Sequence, residues 1–153
     1  MDYKCEIKEL PVQPVLSIRA KSAVQELPQL LGASFGAIAQ HLGSLEENPA
    51  GAPFVAYYNM DMQNLDIEIG FPVSHPLTGQ GNVQPSQIFG GKVATCLYVG
   101  PYSDVGPAYD ALTQFVKAQG CEATGVAYEF YLNDPQTVQP AELQTQIYFP
   151  LKY

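Results

Sequence analysis

Tryptophan is absent, histidine occurs only as His41 and His75, and the three cysteines stand far apart. The two histidines have no partner at metal-ligand spacing, and Cys5, Cys96 and Cys121 form no CxxC pair. These gaps argue against a metal site, and no cofactor is expected. They also argue against a disulfide framework, so the cysteines read as reduced thiols of a cytoplasmic protein. Charge is scarce as well. Only 14% of residues are charged, and 7 basic residues face 15 acidic ones, for a net charge of −8. With no basic stripe to neutralise phosphates, direct nucleic-acid binding is not expected. The same acidity is unsuited to an anionic membrane surface. No apolar run approaches the length of a membrane span, and the opening "MDYKCEIKEL" carries no signal stretch.

What remains is apolar and aromatic. Nearly half the residues, 46%, are hydrophobic, and the chain carries 10 tyrosines and 7 phenylalanines. That is enough to build the core of one domain spanning residues 1–153. "CEIKEL" and "PVLSIRAK" read as extended segments. In "VQELPQLLGASFGAIAQHLG", Leu27, Leu30, Leu31, Phe35, Ile38, Ala39 and Leu42 recur at three and four, the period of a helix that Gly43 stops. "FVAYYN" and "LDIEIGFPV" follow as a hairpin. The second alternates Leu65, Ile67, Ile69 and Phe71 with Asp66, Glu68 and Gly70, as a sheet with one wet face requires. Here Asp66 and Glu68 are expected to be solvated, His41 to be a charge at the helix end, and His75 to be solvated.

A polar Pro/Gly-rich stretch over about 74–87 reads as a linker, after which the pattern restarts. "GKVATCLYVG" is a strand, "PYSDVGPAYDALTQFVKAQG" a helix, and "GVAYEFYLND" and "LQTQIYFPL" two more strands. The halves, about 1–75 and 88–153, thus predict a duplicated β-α-β-β unit and an α+β fold. "IEIGFPV" echoes "TQIYFPL", placing Phe71 on Phe149 and Pro72 on Pro150. "VAYYN" echoes "VAYEFYLN" with an offset of 71 (127−56) or 73 (131−58). The two offsets share a parity and predict the same face. Glu129 joins Ala127 and Tyr131 on the side away from the helices, its counterpart sharing the parity of Phe54, Ala56 and Tyr58. Val126, Tyr128, Phe130 and Leu132 would cover the helices.

The strings "PFVAYYNMD", "DIEIGFPV", "LYVGPYSDVGPAYDAL", "YEFYLNDP" and "LQTQIYFPL" resemble the GyrI-like family. This is the effector-binding domain of many AraC- and MerR-class bacterial transcription activators, also found as a free-standing protein. "VGPY" and the Glu-x-Tyr-x-x-Asp-Pro string from Glu129 to Pro135 are the most specific parts. The resemblance implies a pseudo-twofold pair of units, a curved antiparallel sheet, two main helices and a central ligand groove. It also implies a bulky, aromatic, cationic guest, with Glu129 at the floor of the groove. Departures are Tyr98 where relatives often carry His, the missing tryptophan, and no helix-turn-helix ahead of the first strand.

The expected ligand-binding residues are Glu129, Tyr131, Tyr58, Phe54, Tyr98, Tyr102 and Phe71. Aromatic faces attract a cation by about 0.5 to 2 kcal/mol each, and a carboxylate adds a counter-charge. The reading is a binding module that senses or sequesters hydrophobic cationic small molecules, drugs or dyes, rather than an enzyme. Two alternatives stay open. One is a hydrolase of electrophilic small molecules, with Glu129 as general base and Tyr58 or Tyr131 as proton donor. The other is a protein-interaction module whose partner is a regulator or DNA gyrase.

Overall fold

The computed structural model describes residues 3–59, 61–88, 90–134 and 136–152. Met60 and Pro135, which belong to two of the motif strings above, lie outside the described residues. Eight strands and two main helices follow in order: β1 (Cys5–Leu10), β2 (Gln13–Ser22), α1 (Leu27–Ser44), β3 (Phe54–Tyr57), β4 (Leu65–Pro72), β5 (Gln84–Ile88), β6 (Gly91–Val99), α2 (Gly106–Ala118), β7 (Ala127–Tyr131) and β8 (Gln144–Pro150). The fold is α+β, and its strand pairs are antiparallel. The chain forms two compact units. One is continuous, Pro11–Gly90; the other is discontinuous, Met1–Leu10 with Gly91–Tyr153.

In the continuous unit the strand order is β3-β4-β2-β5. Leu16 lies opposite Phe71 and Ile18 opposite Ile69, and this parity faces α1, where Leu16 and Ile18 pack with Ile38 and Leu42. Burying such side chains contributes about 1.5–3 kcal/mol each. Ser17, Arg19, Glu68 and Gly70 stand on the opposite face by the strict alternation of a strand. The N-terminal half of α1 is only lightly covered. Gly32 and Gly36 are exposed there, and a Cβ added at either would meet nothing within 4 Å. Gly36→Ala should therefore raise stability by about 1 kcal/mol, read as a higher urea midpoint at unchanged slope; a lower midpoint would contradict it.

His41 lies in the last turn of α1, as expected, and is 8% exposed, with Nε2 donating to the Thr78 carbonyl at 2.7 Å. Its position on the inner face of α1 explains this. The stretch read as a linker contains β5, which pairs with β2. "QPSQI" is an edge strand with four exposed residues, a proline among them, so it shows no alternation to read. Finally, β1 pairs with β6 and belongs to the unit of residues 91–153, not to residues 11–75.

The discontinuous unit has the order β1-β6-β8-β7. Ala94 and Cys96 of β6, Ala127 of β7 and Ile147 of β8 pack with Leu112 and Val116 of α2. Gly120, at φ +72°, ends the helix in the left-handed conformation that glycine adopts without strain. Cys96 lies opposite Cys5 across β1 and β6, and burial pushes its thiol up to about 12.

The registers demonstrate the duplication. Cys96 opposite Ile147 corresponds to Ile18 opposite Ile69, so both strands shift by 78 (96−18 and 147−69). Phe71 and Phe149 keep that same offset, as expected (149−71 = 78). In the remaining strand Glu129 opposite Ile147 corresponds to Val55 opposite Ile69, an offset of 74 (129−55). This offset is even, whereas both sequence alignments were odd. A one-residue slip turns every side chain over. Glu129, Tyr131 and Ala127 therefore face α2, and Tyr128 and Phe130 face away, with Phe130 edge-on to Tyr148 at 5.4 Å.

Candidate functional site

Glu129 sits in the middle of β7, half-buried beneath α2. Tyr109, in the first turns of α2, donates its hydroxyl to Oε2. Tyr131 donates to Oε1 at 2.9 Å. The spacing follows from the elements: Tyr131 is two residues on, so it shares the face of Glu129, and Tyr109 lies on the inward stripe of its helix near Leu112 and Val116. Burial pushes the Glu129 carboxyl above its ordinary range, while the two hydroxyls pull the other way. The Tyr131 ring meets Tyr102 edge to face at 5.4 Å, and Tyr102 is 39% exposed. Tyr109 packs edge-on to Phe149 at 5.6 Å. A carboxylate thus lies at the bottom of a tyrosine cluster that reaches the surface at Tyr102. Such an arrangement offers a counter-charge and aromatic faces to a cation.

The remaining expected residues fall elsewhere. Tyr98 is in the core of the discontinuous unit, 3% exposed, with its hydroxyl donated to the Pro101 carbonyl at 2.6 Å. Phe54 is fully buried. Phe71 packs on the α1 side of its sheet, edge-on to Phe35 at 5.4 Å. Tyr58 donates to a different acid, Glu68, at 2.5 Å. The structure therefore brings Glu129, Tyr131 and Tyr102 together within one unit and adds Tyr109. That residue is a tyrosine inside an otherwise apolar helix stripe, and a half-buried hydroxyl there calls for a partner.

Glu68 departs from the solvated face expected of it. It is 8% exposed, with Oε1 accepting from Tyr58 and Oε2 accepting from Ser17 at 2.6 Å. Next to it, Arg19 makes a two-pronged ion pair with Asp66, both contacts at 3.0 Å, and its guanidinium carbon sits 4.0 Å from the centre of the Tyr58 ring. That pair holds the Asp66 carboxyl below its usual range. His75 reaches Glu47 at 3.4 Å. Among the described residues, no cluster of three or more His, Cys, Asp or Glu is placed to hold a metal. Nor is any helix among them long and apolar enough to cross a membrane.

The model of the GyrI-like small molecule binding domain matches residues 3–152. The chain belongs to the GyrI-like family. Binding of a small-molecule effector is the role that this membership carries. No curated protein matches the chain significantly. Among solved structures, the crystal structure of the EcmrR C-terminal domain is 25% identical over 99% of both chains, with a TM-score of 0.81. EcmrR is a MerR-family regulator. In its DNA complex the match covers 98% of this chain and 57% of the EcmrR chain, with a TM-score of 0.84. Two more distant structures share the fold. A hydrolase from Listeria innocua is 16% identical over 97% of this chain and 92% of its own, with a TM-score of 0.69. SAV2435, solved bound to tetraphenylphosphonium, is 12% identical over 99% and 94%, with a TM-score of 0.65.

Proposed function

We propose that this GyrI-like domain binds bulky aromatic, lipophilic cations, and that the Glu129 cluster receives the positive charge. The supporting observation is the half-buried Glu129 carboxylate, held by the Tyr109 and Tyr131 hydroxyls, with the Tyr131 ring against the part-exposed Tyr102. Burial opposes ionisation of that carboxyl, and a bound cation offsets the cost. Affinity then comes mostly from flat apolar area at about 25 cal/mol per Å², and the charge supplies selectivity for cations over neutral shapes. We further propose that the bound compound is an effector whose occupancy is read by a MerR-class regulatory protein, the class to which EcmrR belongs.

Isothermal titration with tetraphenylphosphonium and with neutral triphenylphosphine oxide tests the reading. The cation should bind at least about tenfold more tightly, a difference of about 1.4 kcal/mol. Equal affinities, or no heat from either compound, would count against it.

A further inference from the structure

The face of the continuous unit that points away from α1 holds a cavity of about 420 Å³. It is lined by Ser17 and Arg19 of β2, Glu68 of β4, Gln84 and Ser86 of β5, and Asn82 in the turn before β5. All of them belong to residues 11–90. The pairing explains why they converge, because Arg19 lies opposite Glu68 and Ser17 opposite Gln84.

The two charges are fixed before any guest arrives. Glu68 is 8% exposed and is clamped by the Ser17 and Tyr58 hydroxyls. A carboxylate accepts about four hydrogen bonds, so two acceptor sites remain. Arg19 uses Nε and Nη2 on Asp66 and lies over the Tyr58 ring. Its Nη1 has no protein partner among the described residues. Although Arg19 and Glu68 are direct cross-strand neighbours, Arg19 takes its ion pair with Asp66. A cation and a carboxylate thus stand side by side, with Cβ atoms roughly 5 Å apart. Hydroxyls and amides surround them, and proline supplies the one apolar residue of the lining, Pro85.

This chemistry differs from that of the Glu129 cluster. Among the described residues no aromatic lines the cavity, so a flat aromatic cation finds no ring to stack on there. We propose that the cavity binds small zwitterions of the α-amino-acid class. The ligand carboxylate meets Arg19 Nη1, the ammonium meets Glu68, and the side chain runs toward Asn82, Gln84 and Ser86. The volume suits a molecule of this size.

Calorimetry on the whole chain tests the proposal, with glycine, L-alanine, L-glutamine and L-arginine and the N-acetyl and carboxamide derivative of each. At least one free amino acid should bind with a Kd below about 1 mM, and blocking either its amine or its carboxylate should weaken it at least tenfold. Ser86→Phe, on the exposed edge strand, should abolish this binding and leave the tetraphenylphosphonium titration unchanged. Glu68→Gln should lose the amino acid while keeping the hydrogen bond from Tyr58. No heat from any of the four, or equal binding of blocked and free forms, overturns the proposal. So does undiminished binding in a folded Ser86→Phe protein.

Discussion

Glu129→Gln should raise the melting temperature of the ligand-free protein at neutral pH and, in the same molecule, weaken tetraphenylphosphonium about thirtyfold or more. Both effects have one cause. Burial pushes the folded-state pKa of Glu129 above its unfolded value, and the hydroxyls of Tyr109 and Tyr131 offset only part of that push. Between the two values the folded protein holds a proton that the unfolded chain has released. Stability therefore falls as pH rises through that window, and the deficit is complete above the folded pKa. Below the unfolded value the contribution vanishes. Glutamine keeps the shape, accepts one tyrosine hydroxyl and donates to the other, and carries no charge. Each 1 kcal/mol gained amounts to about 2–4 °C for a chain of this size. Scanning calorimetry at acidic and alkaline pH checks the sign: the variant's advantage should grow as pH rises. The cation loses its buried counter-charge, a loss in the range of about 2–5 kcal/mol. Wild-type affinity should also fall as the pH is lowered through the raised Glu129 pKa. A pH-independent melting difference, or a variant that keeps full affinity, would contradict the account.

Gly70→Ala carries the largest expected loss of stability. A Cβ at Gly70 would stand 2.6 Å from the Leu16 carbonyl oxygen, 2.9 Å from Ser17 Cβ and 3.0 Å from Phe54 Cε1. None of the three can step aside cheaply. The carbonyl belongs to β2 beside β4, Ser17 is tied to Glu68, and Phe54 is fully buried. The added methyl forces the strands apart, at a cost of about 3 kcal/mol, the upper part of the overpacking range. That corresponds to a fall of about 6–12 °C in Tm. Phe54→Leu should not rescue it, because the backbone contact with Leu16 remains. A loss below about 1 kcal/mol would show that the sheet yields there more easily than its packing implies.

How much of this was legible in the residues depends on what each signal reports. Helix periodicity placed α1 and α2, though Gly43 lies inside α1 rather than stopping it while Gly120 does end α2, and the Phe71/Phe149 echo carried the repeat through to the registers. The face of β7 was misread because its two alignments were both odd, and the loops before it differ in length between the repeats. No local string reports a loop difference of that kind. Glu68 was misread because an acid in an alternating strand looks solvated; its two donors come from Tyr58, just past the preceding strand, and Ser17 far upstream. β5 escaped notice because an exposed edge of polar residues differs little from a loop. Glu129 itself stood out, since a lone acid among aromatics is costly without partners. Its second donor, Tyr109, became visible only once helix and strand were brought together.

The split of the chain into a continuous and a discontinuous unit also sets an order of assembly. Residues 11–90 hold four strands that pair with one another, so those ladders can form while the ribosome is still adding the rest. The first strand is made earliest, yet it has no partner until β6 follows. Cys5 must wait for Cys96, across a span of 91 residues (96−5), before its ladder can close. Until then Cys5–Leu10 is an unsatisfied edge that an already folded neighbour follows directly along the nascent chain.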